Sequence, residues 1–127
     1  MLPIILKVAC VAAGGAIGCV ARYLTSLLIG AHTGGNFPWA TLTVNVAGCL
    51  IIGLISGTLS RYEGVGEHVR LFLTVGLCGG FTTFSTFANE NWMLLDGRHF
   101  IAAAAYCSLS LLLGLAAVYA GYRLAGA

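Results

Sequence analysis

The sequence predicts an all-α integral membrane protein, one domain of four transmembrane helices, on three observations. Hydrophobic residues make up 59% of the 127 and charged residues only 8%, where a soluble domain carries about a quarter charged residues. The mean hydropathy is +0.96. Four runs nearly free of charge, each close to the ~20 residues that cross a bilayer, are joined only by short connections. The formal charge of +2 comes from six Lys+Arg against four Asp+Glu. That leaves no basic face to release phosphate counterions and excludes a nucleic-acid binder. There are 18 glycines, about twice the usual share, but only two prolines, so the chain is neither disordered nor collagen-like.

The first run, Val8–Ala21, extends past Arg22 to Ile29, which gives a span over about residues 4–29. Only Lys7 precedes it as a positive charge, so a cleaved signal peptide is not expected. Trp39–Ser60 supplies the second span (39–60), Leu71–Asn89 the third (70–90) and Phe100–Tyr122 the fourth (99–123). Small residues four apart occur in every span, at Gly14/Gly18, Gly53/Gly57, Gly76/Gly80 and Ala117/Gly121. Such pairs let helix backbones approach closely where lipid gives no hydrophobic drive to association. Cys10, Cys19, Cys49, Cys78 and Cys107 all lie inside spans, an odd number with no CxxC, and read as small packing residues. His32, His68 and His99 fall in loops.

Four spans place both termini on one side of the membrane. That side carries Lys7, Arg61, Arg70 and Arg123, and the other carries Arg98 and, more loosely, Arg22. Orientation follows the more positive side. So weak a bias is compatible with two outcomes, insertion both ways with antiparallel pairing, or one orientation with both termini in the cytoplasm. Side chains fill the centre of a four-helix bundle, so transport would require an oligomer.

The third span departs from an ordinary lipid-facing helix. Gly79-Gly80 lowers helix propensity by about 1 kcal/mol per residue relative to Ala, and Thr82, Thr83, Ser85 and Thr86 follow at once. A helix broken there would free backbone carbonyls, tolerated at bilayer depth only inside protein or around an ion. Glycine close-packing, with the hydroxyls bonded back to their own helix, is the competing reading. At 100° per residue Thr83, Thr86 and Glu90 share one stripe, with Phe84 and Phe87 beside it.

Asn45 lies well inside the second span, and Tyr106 and Ser110 sit one turn apart on the fourth. Read singly, these are interhelical hydrogen-bond contacts and helix packing. As a set, the interior is rich in neutral donors (Asn45, Thr83, Ser85, Thr86, Tyr106, Ser110) and poor in carboxylates, with only Glu90 near the end of the third span. A cation path needs acidic or carbonyl rings. Neutral donors beside the positive edges of aromatic rings suit a small anion instead.

Three motifs resemble the Fluc (CrcB) fluoride channels: Gly14-Gly-Ala-Ile-Gly-Cys-Val-Ala-Arg22-Tyr, Thr41-Leu-Thr-Val-Asn45-Val-Ala-Gly48, and Gly79-Gly-Phe-Thr-Thr-Phe-Ser-Thr-Phe87 with Glu90. The likeness runs in order over nearly the whole chain, most specifically in the third motif. It implies a dual-topology antiparallel homodimer with two fluoride pores along the subunit interface. It also implies a third helix broken mid-membrane, and a structural sodium ion held by backbone carbonyls that map onto Gly79 and Thr82. The fluoride pathway maps onto Asn45, Phe84, Phe87, Ser85 and Thr86, with Tyr106 and Ser110 on the fourth span, and Arg22 onto the aqueous vestibule. The implied role is passive export of fluoride from a microbial cytoplasm, across the plasma or inner membrane, by a protein that is not an enzyme. Ala40 stands where the family commonly has Gly, and Gly114 where some relatives carry a hydroxyl. The alternatives are a proton-coupled small four-helix exporter using Glu90, and an assembly subunit that transports nothing.

Overall fold

A computed structural model describes residues 2–126. Among them there is no strand, and four helical spans are long and apolar enough to cross a membrane. Helix α1 covers Leu2–His32. A loop containing Gly35 at φ +88° leads to Pro38, whose ring fixes the entry into α2, Trp39–Arg61. The third span is assembled from pieces: α3 (Glu67–Leu71), a wider π-helical stretch (Phe72–Cys78), α4 (Gly79–Phe81), and α5 (Phe84–Asp96). A tight turn with Arg98 at φ 62° then starts α6, Phe100–Leu124.

Two packing units position the site. Helix α2 packs most extensively on α6, and α1 lies along the π-helical stretch and α4. Glycine sets both contacts. A Cβ built on Gly80 would stand 2.6 Å from the Gly15 carbonyl oxygen, and one on Gly76 would stand 2.8 Å from that of Val11. Between α2 and α6, a Cβ on Gly57 would lie 2.6 Å from the Tyr122 carbonyl oxygen. The small-residue pairs of the first and third spans therefore meet each other within one chain, as Gly53 and Gly57 meet α6.

The backbone corrects one local expectation. Gly79 and Gly80 are helical, with Gly79 at φ −63°, ψ −36°. Extended backbone comes later, at Thr82 (φ −86°, ψ 161°) and Thr83 (φ −151°, ψ 118°). Gly80 is required by its contact with α1, while a Cβ on Gly79 would meet only the Thr74 carbonyl oxygen, at an unstrained 3.8 Å.

Candidate functional site

The Thr82–Thr83 link is held by a side chain of α2. Asn45 Nδ2 donates to the Thr83 carbonyl (3.0 Å), and the Thr83 N–H donates to Asn45 Oδ1 (2.8 Å). This reciprocal pair fixes which way the amide faces and supplies both partners that Thr83 would have had in a strand. The Thr83 hydroxyl then caps α5, accepting from the Thr86 N–H (3.3 Å) and donating to Thr86 Oγ1 (3.0 Å). A hydroxyl at the N-cap satisfies one of the four donors that a helix start leaves open.

These bonds release carbonyls. In a continuous helix the Thr83 N–H would close on the Gly79 carbonyl and the Thr86 N–H on that of Thr82. The first is taken by Asn45 and the second by the Thr83 hydroxyl. Gly79 and Thr82 thus offer oxygens without their usual helix partners. Both line an open cavity of about 400 Å³ together with Asn45, Thr74, Thr83 and Phe84. Oxygen donors of this kind are what a hard cation takes as ligands.

Arg22 lies where α1 meets the end of α4. It is half-buried, and its Nε donates to the Gly80 carbonyl at 3.1 Å. Phe84 is 79% exposed, with its ring centroid 5.8 Å from that of Phe87. Phe87 in turn packs on the fully buried Tyr106 (5.0 Å), which also meets Phe37 edge-on (5.6 Å). The Tyr106 hydroxyl donates to Glu90 Oε1 at 3.2 Å. Ser85 is exposed. Ser110 Oγ is buried without a hydrogen-bond partner among the described residues, whereas Thr25, Thr58, Thr74 and Thr82 all bond back to their own helices.

Asn45, Gly79, Thr82 and Phe84 come together around one cavity, while Phe87, Tyr106 and Glu90 form a second cluster further along α5. Sequence reasoning missed Asn91. Its buried amide donates to the Phe87 carbonyl one turn back in α5 (2.9 Å) and accepts from Cys107 Sγ (3.1 Å), which ties the middle of α5 to α6. The signal was a polar residue one turn after Phe87 on the face that meets the fourth span.

A family profile described as CrcB-like protein, Camphor Resistance (CrcB), matches residues 9–122. A relative from Flavobacterium psychrophilum is 47% identical over 115 residues, covering 91% of this chain and 93% of its own length. One from Geobacter sulfurreducens is 45% identical over 111 residues, covering 87% and 90% respectively. Each of these relatives carries the name Fluoride-specific ion channel FluC. With a family match over nearly the full length and four helices suited to a bilayer, this chain is a multi-pass membrane protein of the CrcB-like family.

Proposed function

We propose that the chain is a subunit of a fluoride-selective channel, not an enzyme, and that it works as an antiparallel, dual-topology homodimer. Fluoride leaves the cytoplasm passively through two pores along the subunit interface. The observation that carries this reading is the buried Ser110 hydroxyl with no protein partner. A buried donor without a partner is costly, and a small anion passing along α6 supplies the missing acceptor. Fluoride is strongly hydrated, so its pathway must replace water with donors. Ser110 and the exposed Ser85 are available for this, together with the second Asn45 N–H and the Thr86 hydroxyl. Phe84 and Phe87 add positive ring edges. The wide exposure of Phe84, beside an open cavity, fits a ring that meets a partner subunit.

The third span is read as broken at Thr82–Thr83, at bilayer depth. The freed carbonyls of Gly79 and Thr82 would hold the central sodium ion, which when bound supplies a fixed positive charge that eases anion passage nearby. The chain's own contribution is Asn45, which takes the Thr83 N–H from the Gly79 carbonyl, and the Thr83 hydroxyl, which takes the Thr86 N–H from the Thr82 carbonyl.

The test is efflux from liposomes containing the purified protein, followed with a fluoride electrode and a chloride control. Rapid fluoride efflux that needs a potassium ionophore, with negligible chloride efflux, is the expected result. Silence toward fluoride from folded protein would overturn the channel. Efflux that is coupled to protons and abolished by Glu90→Gln would instead establish the exporter.

A further inference from the structure

We propose that Arg22 is a positioning residue for the central cation: by binding the Gly80 carbonyl it withdraws that oxygen from competition with the Gly79 and Thr82 carbonyls read as ligands. The inference rests on the sodium reading given above.

Its basis is the helix end that terminates at Phe81. The last carbonyls of a helix have no internal partners. The Gly79 oxygen is bypassed because the Thr83 N–H turns to Asn45. Gly80, one residue on, would present its oxygen on a neighbouring side of the same turn. A cation approaching this end would meet competing oxygens and no single geometry. Arg22 removes one competitor, the Gly80 oxygen, with a charge-assisted bond from Nε, 3.1 Å long. It also places a cation at a helix C-terminus, where the dipole favours it.

The sequence builds this contact by spacing. Gly14, Gly18 and Arg22 are four residues apart and share one face of α1. The two glycines bring the α1 backbone against Gly76 and Gly80, where a Cβ would not fit. That approach carries the Arg22 side chain to the Gly80 carbonyl. Lysine could offer a charge there, but not the planar guanidinium whose Nε makes the bond.

The competing role is ion attraction at the mouth of the pore, because the Arg22 Nη groups have no hydrogen-bond partner among the described residues. One experiment separates the two. The thermal midpoint of the full-length wild type, Arg22→Lys and Arg22→Gln is measured against sodium concentration, with N-methylglucamine as the replacement cation, and fluoride efflux is measured on the same preparations. The expected result is a wild-type midpoint that rises with sodium. Arg22→Gln should need about tenfold more sodium for the same rise, as fits loss of one charge-assisted bond, with Arg22→Lys in between. Should Arg22→Gln fail to fold, Arg22→Lys carries the test. A variant sodium curve superimposed on a responsive wild type would overturn the proposal. If efflux in that case recovered at high fluoride, Arg22 would be an attracting charge. A wild-type midpoint flat in sodium would overturn the central cation and this inference together, while its fluoride efflux would still judge the channel by itself.

Discussion

Before Thr82 the third span lies against α1 with glycine on both sides of the contact, whereas after Thr83 it is tied to α2 and α6 through side chains. The first half is fixed by shape: Gly76 and Gly80 meet backbone atoms of α1, with side-chain bonds added by Arg22 and by the exposed Lys7–Glu67 ion pair. The second half is fixed by chemistry: Asn45 on the Thr83 backbone, the Thr83 cap on α5, Cys107 on the Asn91 amide, and Tyr106 on Glu90. The contrast follows from lipid as a solvent. Apolar surface gains little by leaving hydrocarbon, so helices associate through close backbone approach or through hydrogen bonds. The half that only has to stay in place uses the first. The half rich in polar side chains uses the second.

The comparison breaks most clearly at Gly80. Gly80→Val should abolish monodisperse protein in size-exclusion chromatography, because backbone on both sides cannot yield and overpacking costs about 3 kcal/mol or more. Gly79→Ala should leave the fold of the chain intact, since its Cβ has room, and should act only where Gly79 meets a partner or an ion. A Gly79→Ala chain as poorly folded as Gly80→Val would erase the difference between the two glycines.

A smaller effect is expected from Asn45→Ala, which strips both bonds from Thr83 while leaving the glycine contacts alone. Leaving those backbone groups without partners should cost about 2 kcal/mol. The lowered unfolding midpoint should come with reduced fluoride efflux, and unchanged stability would show that the link holds itself.

Ser110→Ala sharpens the comparison further by removing a hydroxyl that bonds to nothing in the protein. Stability should rise by about 1 kcal/mol as an unpartnered buried hydroxyl is removed, with fluoride efflux falling several-fold. A clear loss of stability would place the hydroxyl in a structural role. The smallest effect belongs to Glu67→Gln at the water-exposed foot of the third span. Its 3.0 Å ion pair with Lys7 is open to solvent, and surface pairs contribute about 0–1 kcal/mol, so midpoint and efflux should both stay close to wild type.

Much of the architecture was legible in the sequence. Low charge and four apolar runs of bilayer length determine membrane-crossing helices, because no other element of that length satisfies its backbone in lipid. Glycines four residues apart also marked the close contacts, since the period of a helix puts them on one face. The polar residues were visible as a set, and the third span could be read as unusual from its glycines and hydroxyls, with a helix break and close packing left as alternatives. Where the backbone turns extended, and what holds it there, could not. Gly79-Gly80 is the weaker helix former, yet it stays helical because α1 packs against it, and the extended pair falls at Thr82–Thr83, where Asn45 can replace the helix bonds. Arg22 on the Gly80 carbonyl, Cys107 on the Asn91 amide and the unpartnered Ser110 were decided the same way. Composition and period are properties of a segment and can be read along the chain. Which acceptor a donor finds depends on the helix that tertiary packing brings within 3 Å of it.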